Sequence, residues 1–495
     1  MSPLSLNPIF LDLAVLAVGL LLLLLEAFED EKDKGFVGWI SIIGIGTVFA
    51  LSFFSHPINL SGASQLASFY SADAFAIFYK RIALGATLLV LIMAMEYRPI
   101  LSRLIPGVDE TAGLGEFFAL PVFTCLGLMW MASAIDFVMI FVSLELVTIS
   151  FYVLVSYTRR SAITLEAGVK YLILSALSTG FLVYGITWLF GITNRTNLAE
   201  VGEVLRALPA DHQTAILFGL ALILVALGFK IAAVPFQLWV PDVYQGAPTP
   251  ITAFLSVGSK AAGFIVLMRV IEPFLSAPVF HDKVLLVLSG MAVLSLIYGN
   301  LAAMPQMNMK RLLAYSSIAH AGYLLVALAS WSSGQAKPTV SFYLAGYLLM
   351  TMLSFLVLVV VNRATGGDDI ANFNGLGQRA PLLAFGMLVA MLSLAGVPFT
   401  AGFLGKFLVF RDAVATHQWL LLGIGIVTVG AGFYYYLKVV RAMYWNVSND
   451  MTAIPLSRLT KVTIGVLSVL IFVLGVYPRP IFIMFKEPVS LILPF

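Results

Sequence analysis

Long apolar runs alternate with short hydrophilic stretches along the whole chain. A transmembrane α-helix needs about 20 consecutive, predominantly apolar residues, and about fourteen runs meet that criterion. The pattern predicts an all-α, polytopic membrane protein, and the first run is predicted to be an uncleaved span because no basic residue precedes it. The predicted spans are 9–25, 36–54, 74–95, 117–134, 137–157, 166–190, 216–229, 251–270, 284–303, 312–331, 340–361, 381–411, 419–444 and 462–476.

Lysine and arginine are distributed unequally between the loops. Cytoplasmic loops of membrane proteins are enriched in these residues. Because the number of predicted spans is even, both termini are predicted on the non-cytoplasmic side. The loops after odd-numbered spans contain Lys32, Lys34, Arg98, Arg103, Arg159, Arg160, Lys310, Arg311, Arg363, Arg379, Lys438, Arg441, Arg458 and Lys461. The loops after even-numbered spans contain Arg195, Arg206, Arg269, Lys283, Lys337 and Arg411, plus Lys80 and Arg81 if these lie at the outer end of a span.

The composition agrees with a membrane protein and excludes several functions. Apolar residues make up 60% of the 495 residues and charged residues 11%, against about 25% charged residues in soluble domains. The net charge of +3 includes no basic tract, so no nucleic-acid binding is indicated. The single cysteine, Cys125, rules out an internal disulfide, a thiolate zinc site and an iron–sulfur cluster. Redox and nucleotide cofactors are therefore expected in other proteins.

Two lysines lie inside apolar runs on either side of a proline-rich segment. Lys230 directly follows the run 216–229 within the longer apolar region, and Lys260 lies in the middle of the run 251–270. An ammonium group at membrane depth costs several kcal/mol unless it is paired, hydrated or neutralised, so each lysine is a functional-site hypothesis. Pro235 lacks a backbone donor and predicts a helix break just after Lys230. The alternative is that each lysine extends its side chain to the membrane interface.

A short motif occurs twice. Ala-Val-Pro-Phe at 233–236 recurs as Gly-Val-Pro-Phe at 396–399, and Lys406 follows the second copy as Lys230 precedes the first. An odd number of predicted spans separates the copies, so they would cross the membrane in opposite directions. That is the signature of inverted repeats with two discontinuous helices, broken near Pro235 and Pro398. A four-residue match can also arise by chance.

Glu145 lies in the middle of the fifth predicted span without a basic neighbour in that helix. It needs a partner from another helix, and Lys230 is the natural candidate. Moving one charge against about 150 mV requires roughly 3.5 kcal/mol. A change in the separation of Glu145 and Lys230 in a low-dielectric site would alter their attraction on that scale. The pair is therefore predicted to act as a proton switch, with Lys260 and Lys406 continuing the relay.

Three further residues have two open interpretations each. Glu166 and Lys170 form an i, i+4 pair at the start of the sixth span, which fits an interfacial salt bridge as well as a role in proton uptake. His320, the one histidine well inside an apolar segment, could transfer protons at neutral pH or be a hydrogen-bonded packing residue. Ser316 and Ser317 are predicted to be helix–helix contacts.

Several long motifs resemble a known family. PFQLWVPDVYQGAPTP at 235–250, AFLSVGSKAA at 253–262, KRLLAYSSIAHAGY at 310–323 and GVPFTAGFLGKF at 396–407 are similar to the antiporter-like membrane subunits of proton-pumping NADH:quinone oxidoreductase, respiratory complex I. Within that family the sequence most resembles the subunit N group. The resemblance covers most of the chain from about residue 116.

The resemblance implies about fourteen helices, with two inverted five-helix repeats and discontinuous seventh and twelfth helices. The implied domains are 1–115, 116–272, 283–445 and 446–495. Glu145, Lys230, Lys260 and Lys406 match the family's relay residues. Gln237 departs from the family, in which several members have histidine at this position.

The implied function is proton translocation driven by quinone reduction in partner subunits, in a bacterial inner membrane. Those partners would be the antiporter-like subunit M and neighbours of the K, J and A types, with NAD, flavin, iron–sulfur clusters and quinone bound outside this chain. The alternatives are a subunit of a multi-subunit sodium/proton antiporter, or of a related ferredoxin- or hydrogenase-linked pump.

Overall fold

The structure is a computed structural model that describes residues 7–28, 35–58, 60, 65–104, 115–159, 161–448, 450 and 452–485. In these ranges the regular secondary structure is helical, and β-type pairing is confined to isolated bridges. The helices are α1 Pro8–Phe28, α2 Gly35–Ser52, α3 Ala74–Leu104, α4 Gly115–Ser133, α5 Phe137–Val155, α6 Ala162–Thr193, α7 Leu198–Arg206, α8 Gln213–Ile231, α9 Val240–Gly246, α10 Thr249–Phe254, α11 Lys260–Leu275, α12 Pro278–Ala303, α13 Met309–Ala329, α14 Ala336–Thr365, α15 Leu376–Arg379, α16 Pro381–Ala395, α17 Ala401–Ala415, α18 Trp419–Trp445, α19 Arg458–Val476 and α20 Arg479–Met484.

The all-helical, polytopic fold predicted from the apolar runs is confirmed. Among the described residues, twelve helices are long and apolar enough to cross a membrane, and two shorter apolar helices, Phe36–Ser52 and Pro381–Ala395, occupy the second and twelfth predicted positions. The twelfth predicted span, 381–411, differs from a single helix because α16 ends at Ala395 and α17 begins at Ala401. Lys32, Lys34, Arg160 and both chain ends, on which the predicted topology depends, lie outside the described residues.

The chain divides into two compact units. The first comprises described residues within 1–91, 104–232 and 258–287, and the second comprises those within 92–103, 233–257 and 288–495. The inverted repeats implied by the family resemblance stay a prediction.

In the first unit, α6 and α8 cross at two glycines. A side chain at Gly185 would come within 2.6 Å of the carbonyl oxygen of Gly219, and a side chain at Gly219 within 3.0 Å of the carbonyl oxygen of Gly185. Helices in membranes gain stability from packing rather than from the hydrophobic effect, and small residues allow their backbones to approach closely. The backbones of α6 and α8 therefore meet directly at these two positions.

Replacing Gly185 by alanine is expected to lower the stability of the purified protein. The new methyl group would collide with backbone atoms that cannot rotate away, and overpacking of this kind costs about 1–3 kcal/mol. Thermal unfolding in detergent measures the effect. A methyl group added at Gly180 of the same helix would meet no atom within 4 Å, so Gly180→Ala is the matched control. Equal unfolding temperatures for the two variants would show that α6 and α8 can move apart at this crossing without loss of stability.

Lys80, which the loop count includes only if it lies at the outer end of a span, is a buried residue of α3. Its ammonium group is fully buried and lies 2.7 Å from Oδ2 of Asp12 in α1. The Tyr70 hydroxyl donates to the same carboxylate oxygen at 2.5 Å, and Lys80 also hydrogen-bonds to Tyr70. Burial, followed by the neighbouring Asp12 carboxylate, raises the pKa of Tyr70 well above its ordinary value, so Tyr70 remains a donor. The three groups join α1 to α3 in the first unit.

In the second unit, Glu96 near the end of α3 is a second buried charge outside the predicted site. Its Oε1 accepts hydrogen bonds from the hydroxyls of Ser457 and Thr460, both at 2.5 Å, and its Oε2 pairs with Arg363. Ser457 caps the start of α19, and Arg363 lies in the last turn of α14. The carboxylate thus connects three helix ends, with both oxygens hydrogen-bonded, as buried charges require.

Candidate functional site

Glu145 and Lys230 both lie in the first unit. Glu145 is a residue of α5, and the Lys230 side chain contacts the same face of that helix. Thr179 of α6 donates a hydrogen bond of 2.7 Å to the Glu145 carboxylate, which is half-buried. Lys230 is 5% exposed, and its Nζ donates to Oγ1 of Thr148 at 3.3 Å. Thr148 follows Glu145 by three positions, so the two side chains share one helix face. In the described part of the chain, no ion pair within 4.0 Å joins Glu145 to Lys230, so the carboxylate and the ammonium are separated rather than in contact.

Lys230 lies in the last turn of α8 because the helix stops immediately after it. α8 ends at Ile231, and Ala232 adopts a left-handed conformation with φ of 64° while its N–H bonds to the carbonyls of Gly228 and Phe229. Pro235, four residues beyond the helix end, could not supply a backbone donor. The partial negative charge of a helix C-terminus favours a cation in its last turn. Lys230 is thus held in the last turn of α8, with the Thr148 hydroxyl as the hydrogen-bond partner of its ammonium group.

Lys260 is the first residue of α11 and is 1% exposed. A π-helical turn over Leu255–Ser259 precedes it, and such turns occur frequently at functional sites. Gly263 follows Lys260 by one helical turn. A methyl group on Gly263 would lie 3.4 Å from Cγ of Lys230 and 2.8 Å from Cγ2 of Ile231. The face of α11 that includes Lys260 therefore packs against the Lys230 end of α8, and the first unit brings the two lysines to one region.

Lys406 lies in the second unit, on α17, and is 5% exposed. Its Nζ donates hydrogen bonds of 2.9 Å to the carbonyl oxygens of both Leu394 and Ala395, in the last turn of α16. Gly396, with φ of 93°, ends α16, and a methyl group there would come within 3.1 Å of Cδ of Lys406. The ammonium group also lies 5.1 Å from the ring centroid of Tyr323, a geometry that attracts a cation.

Each of the two units thus places a buried lysine beside the end of a helix that is followed by Val-Pro-Phe. Lys230 lies in the last turn of α8 and its ammonium group donates to Thr148, whereas Lys406 reaches back from α17 to the carbonyl oxygens at the end of α16. The local conformations of the two copies differ, since the left-handed residues are Ala232 in the first and Gly396 and Phe399 in the second. At Lys406, the carbonyl dipoles of α16 attract the ammonium group.

His320 belongs to a buried hydrogen-bond network in the second unit. It is 2% exposed, with Nδ1 at 2.7 Å from the Tyr343 hydroxyl and Nε2 at 3.2 Å from the Tyr436 hydroxyl. Tyr436 in turn hydrogen-bonds to Ser316. A methyl group on Gly405, next to Lys406, would lie 3.0 Å from the Tyr343 ring. The network therefore reaches the helix that holds Lys406.

Tyr343 and Tyr436 are not among the predicted site residues. Hydroxyl side chains in apolar helices usually make helix–helix hydrogen bonds, so a single sequence does not distinguish these two tyrosines from the others. Both interpretations of His320 remain compatible with its contacts, because a hydrogen-bonded packing residue and a proton carrier both require two satisfied ring nitrogens.

The remaining predicted residues differ in their exposure and contacts. Lys170 and Glu166 form an ion pair of 2.6 Å on the surface of α6, with 39% and 61% of their side chains exposed. Gln237 is buried, and its Oε1 has no hydrogen-bond partner among the described residues. Pro398 lies between α16 and α17. Within the described ranges, no group of three His, Cys, Asp or Glu side chains could hold a metal ion.

Together, the fold and these sites define a polytopic helical membrane protein with buried lysines, one of which places its ammonium group on the carbonyl end of a helix. Ionisable groups buried in such a bundle are typical of ion and proton pathways. A family model described as NADH:quinone oxidoreductase/Mrp antiporter, TM, matches residues 134–432. The chain therefore belongs to the NADH:quinone oxidoreductase/Mrp antiporter transmembrane family, and the resemblance noted in its sequence is confirmed.

Individual relatives refine that assignment. NADH-quinone oxidoreductase subunit N of Desulforamulus reducens is 38% identical over 95% of this chain and 95% of its own length. The subunit N of Trichlorobacter lovleyi is 41% identical over 89% and 88%. Among solved structures, respiratory complex I of Thermus thermophilus with bound aureothin contains a chain that is 31% identical, with a TM-score of 0.78 and coverage of 95% and 97%. A chain of the Mrp complex from Dietzia sp. shares the fold with a TM-score of 0.80 at 19% identity, over 98% and 97%.

Proposed function

We propose that this chain is a proton-translocating membrane-arm subunit of a proton-pumping NADH:quinone oxidoreductase. The observation that carries the proposal is the burial of Lys230, Lys260 and Lys406, with the Lys406 ammonium group on the carbonyl end of α16. Ionisable groups inside a membrane protein are costly and mark ion or proton pathways. Relatives named as subunit N, similar over nearly the full chain, support the same complex.

In the proposed mechanism, a movement of α5 relative to α8 changes the distance between Glu145 and Lys230. When the carboxylate approaches, the ammonium form of Lys230 is favoured. When it withdraws, the amine releases its proton toward Lys260, whose helix packs against the Lys230 end of α8. Lys406 in the second unit would take part in a later transfer, with His320 as a further carrier beside it. Glu166 and Lys170, exposed on α6, would serve in proton uptake.

The change in attraction between Glu145 and Lys230 can be compared with the free energy needed to move one proton against the membrane potential. Two unit charges at an effective dielectric constant of about 20 attract by about 4 kcal/mol at 4 Å and about 2 kcal/mol at 8 Å. Transfer of one charge against about 150 mV requires roughly 3.5 kcal/mol. A separation of this size therefore supplies more than half of the requirement. The remainder must come from changes in hydration and in the helix-end contacts of the lysines.

The proposed architecture has two inverted five-helix repeats, 116–272 and 283–445, between an N-terminal segment 1–115 and a C-terminal segment 446–495. α16 and α17 would form one discontinuous twelfth span, and α8 with the segment after it a discontinuous seventh span. The helix ends at Ile231 and Ala395, each followed by a Val-Pro-Phe sequence, support this arrangement. It is the architecture in which broken helices place ion sites near the middle of the membrane.

The complex would lie in a bacterial inner membrane, with both termini of this chain on the non-cytoplasmic side. Its neighbours would be the antiporter-like subunit M and subunits of the K, J and A types. NAD, flavin, iron–sulfur clusters and quinone would be bound by partner subunits, so that this chain contributes to the enzyme without a redox centre of its own.

Purification of the tagged chain from its native membranes in mild detergent, with identification of the copurifying proteins, tests the assignment. Subunits that contain flavin and iron–sulfur clusters, together with NADH-dependent quinone reduction, are the expected result. Copurification of small antiporter subunits without redox proteins would contradict it and indicate a sodium/proton antiporter. Hydrogenase or ferredoxin-linked subunits would instead indicate a related pump.

A further inference from the structure

The first unit contains an open cavity of about 590 Å³, lined in part by charged side chains, that the proposed proton path does not use. Its volume falls in the usual range for small-ligand sites, roughly 300–1,000 Å³. Both signs of charge occur among the residues that line it. The charged and hydrogen-bonding residues of its wall are Asn197, Glu203, Arg206, Arg269, Glu272 and Ser276.

The cavity lies where several membrane-spanning helices of this unit begin or end. Ile135 precedes the first residue of α5, and Ser276 follows the last residue of α11. The short helix α7 forms one wall, where Gly202 packs against Pro273 closely enough that a methyl group would lie 3.3 Å from it. The ends of spanning helices lie at the level of the lipid head groups. We therefore expect the cavity to lie at the depth of phospholipid phosphates.

Arg269 is the more buried of the two arginines in the cavity wall. Its side chain is 10% exposed, and its Nη2 donates hydrogen bonds to Asp73 at 3.0 and 3.2 Å and to the Ala132 carbonyl at 3.0 Å. Its Nε is buried without a hydrogen-bond partner among the described residues. An unsatisfied buried donor is costly, and guanidinium groups bind phosphate through two parallel donors. Because Nε itself is covered, a phosphate oxygen in the cavity would contact the part of the Arg269 side chain that lines the wall.

The charges of the wall exclude a simple anion site. Burial favours the neutral form of Asp73, but the adjacent Arg269 guanidinium holds the pKa of Asp73 below its ordinary value, so the Asp73 carboxylate balances the charge of Arg269 at neutral pH. Arg206 shares the wall with two carboxylates, Glu203 and Glu272. A ligand with only negative charge would be repelled by the latter pair. A ligand with a phosphate and a cation would match both signs.

We propose that this cavity binds the head group of a zwitterionic phospholipid with a primary ammonium group. The phosphate would lie on Arg269 and Arg206, and the ammonium group on Glu203 and Glu272. The acyl chains would follow the apolar surface that begins one turn into α5, where Val138 is 55% exposed and Val142 46%. This proposal is independent of the proposed proton translocation, because it uses none of the relay residues.

Photo-crosslinking of the purified complex tests the site. The complex is reconstituted into vesicles that contain a photoactivatable phosphatidylethanolamine or, separately, a photoactivatable phosphatidylglycerol, and labelled peptides are identified by mass spectrometry. We expect preferential labelling of segments 197–206 and 269–276 by phosphatidylethanolamine. Arg206→Gln should reduce that labelling about tenfold, the effect of one charge-assisted hydrogen bond. Arg195→Gln is the matched control, since Arg195 is exposed, pairs with Glu200 and lies outside the cavity wall.

A reversal of selectivity separates recognition from simple destabilisation. Glu203 is exposed, so Glu203→Lys leaves the core intact, and it should shift labelling from phosphatidylethanolamine toward the anionic phosphatidylglycerol. Equal labelling by both lipids in the unmodified complex, or unchanged labelling in Arg206→Gln and Glu203→Lys, would overturn the proposal. Two further results would also overturn the proposal. One is that the cavity binds inorganic phosphate but is not labelled by either lipid, and the other is that a segment of a partner subunit occupies the cavity.

Discussion

Replacement of Lys230 by alanine is expected to abolish or sharply reduce proton pumping while the complex stays assembled. The ammonium group of Lys230 is buried, and its hydrogen-bond partner is the neutral Thr148 hydroxyl rather than a carboxylate. Its loss removes the proposed proton-carrying group, while the Glu145 carboxylate keeps its hydrogen bond from Thr179. The measurement is the proton-to-electron ratio in reconstituted vesicles, with quinone reduction recorded in parallel.

Two variants make this experiment decisive. Lys283 is an exposed lysine of the same unit, and Lys283→Ala should pump normally. Lys230→Arg keeps the positive charge, but arginine does not lose its proton in proteins. A relay through Lys230 therefore predicts that arginine fails as alanine does, whereas a purely structural charge predicts that arginine restores pumping. An unchanged proton-to-electron ratio in Lys230→Ala would count decisively against the relay.

The fold could be predicted from the sequence because the bilayer imposes one dominant requirement. Every spanning segment must satisfy its backbone internally and present an apolar surface, so length and hydropathy identify it. The same logic marks Lys230, since a lysine and a proline inside an apolar run conflict with that requirement. The predicted helix break near Pro235 agrees with the end of α8 at Ile231. The relay roles of Glu145, Lys230, Lys260 and Lys406 stay predictions.

What the sequence could not show is which charges pair with each other. Lys80 lies near the start of its helix, where a lysine is usually an interfacial residue. Its partner, Asp12, lies 68 positions away in another helix. Glu96 forms an ion pair with Arg363 and accepts a hydrogen bond from Thr460, and both partners lie still farther along the chain. Hydropathy depends on neighbours in sequence, whereas these pairs depend on helix packing. For the same reason the contacts of His320 with Tyr343 and Tyr436 are not evident from any local motif.

The Asp12–Lys80 pair yields the second large effect. Removal of one partner, by Asp12→Asn or by Lys80→Met, is expected to destabilise the protein by about 3–5 kcal/mol, because the other charge is left buried and uncompensated. The double variant should recover most of that loss, since replacing a whole buried pair is often neutral or stabilising. Asparagine at position 12 retains an acceptor for the Tyr70 hydroxyl. Denaturant unfolding of the purified protein in detergent measures the cycle.

The same double variant distinguishes an anchor from a proton site. If the pair only holds α1 against α3, the stable double variant should pump protons with an unchanged proton-to-electron ratio. Additive losses, with the double variant as unstable as the sum of the single ones, would contradict direct pairing of the two charges. A double variant that is stable and reduces quinone but does not pump would instead place Asp12 and Lys80 in the proton path. In that last case pumping would require protonation and deprotonation of the Asp12–Lys80 pair. Proton transfer would then explain why these two charges are buried outside the predicted relay.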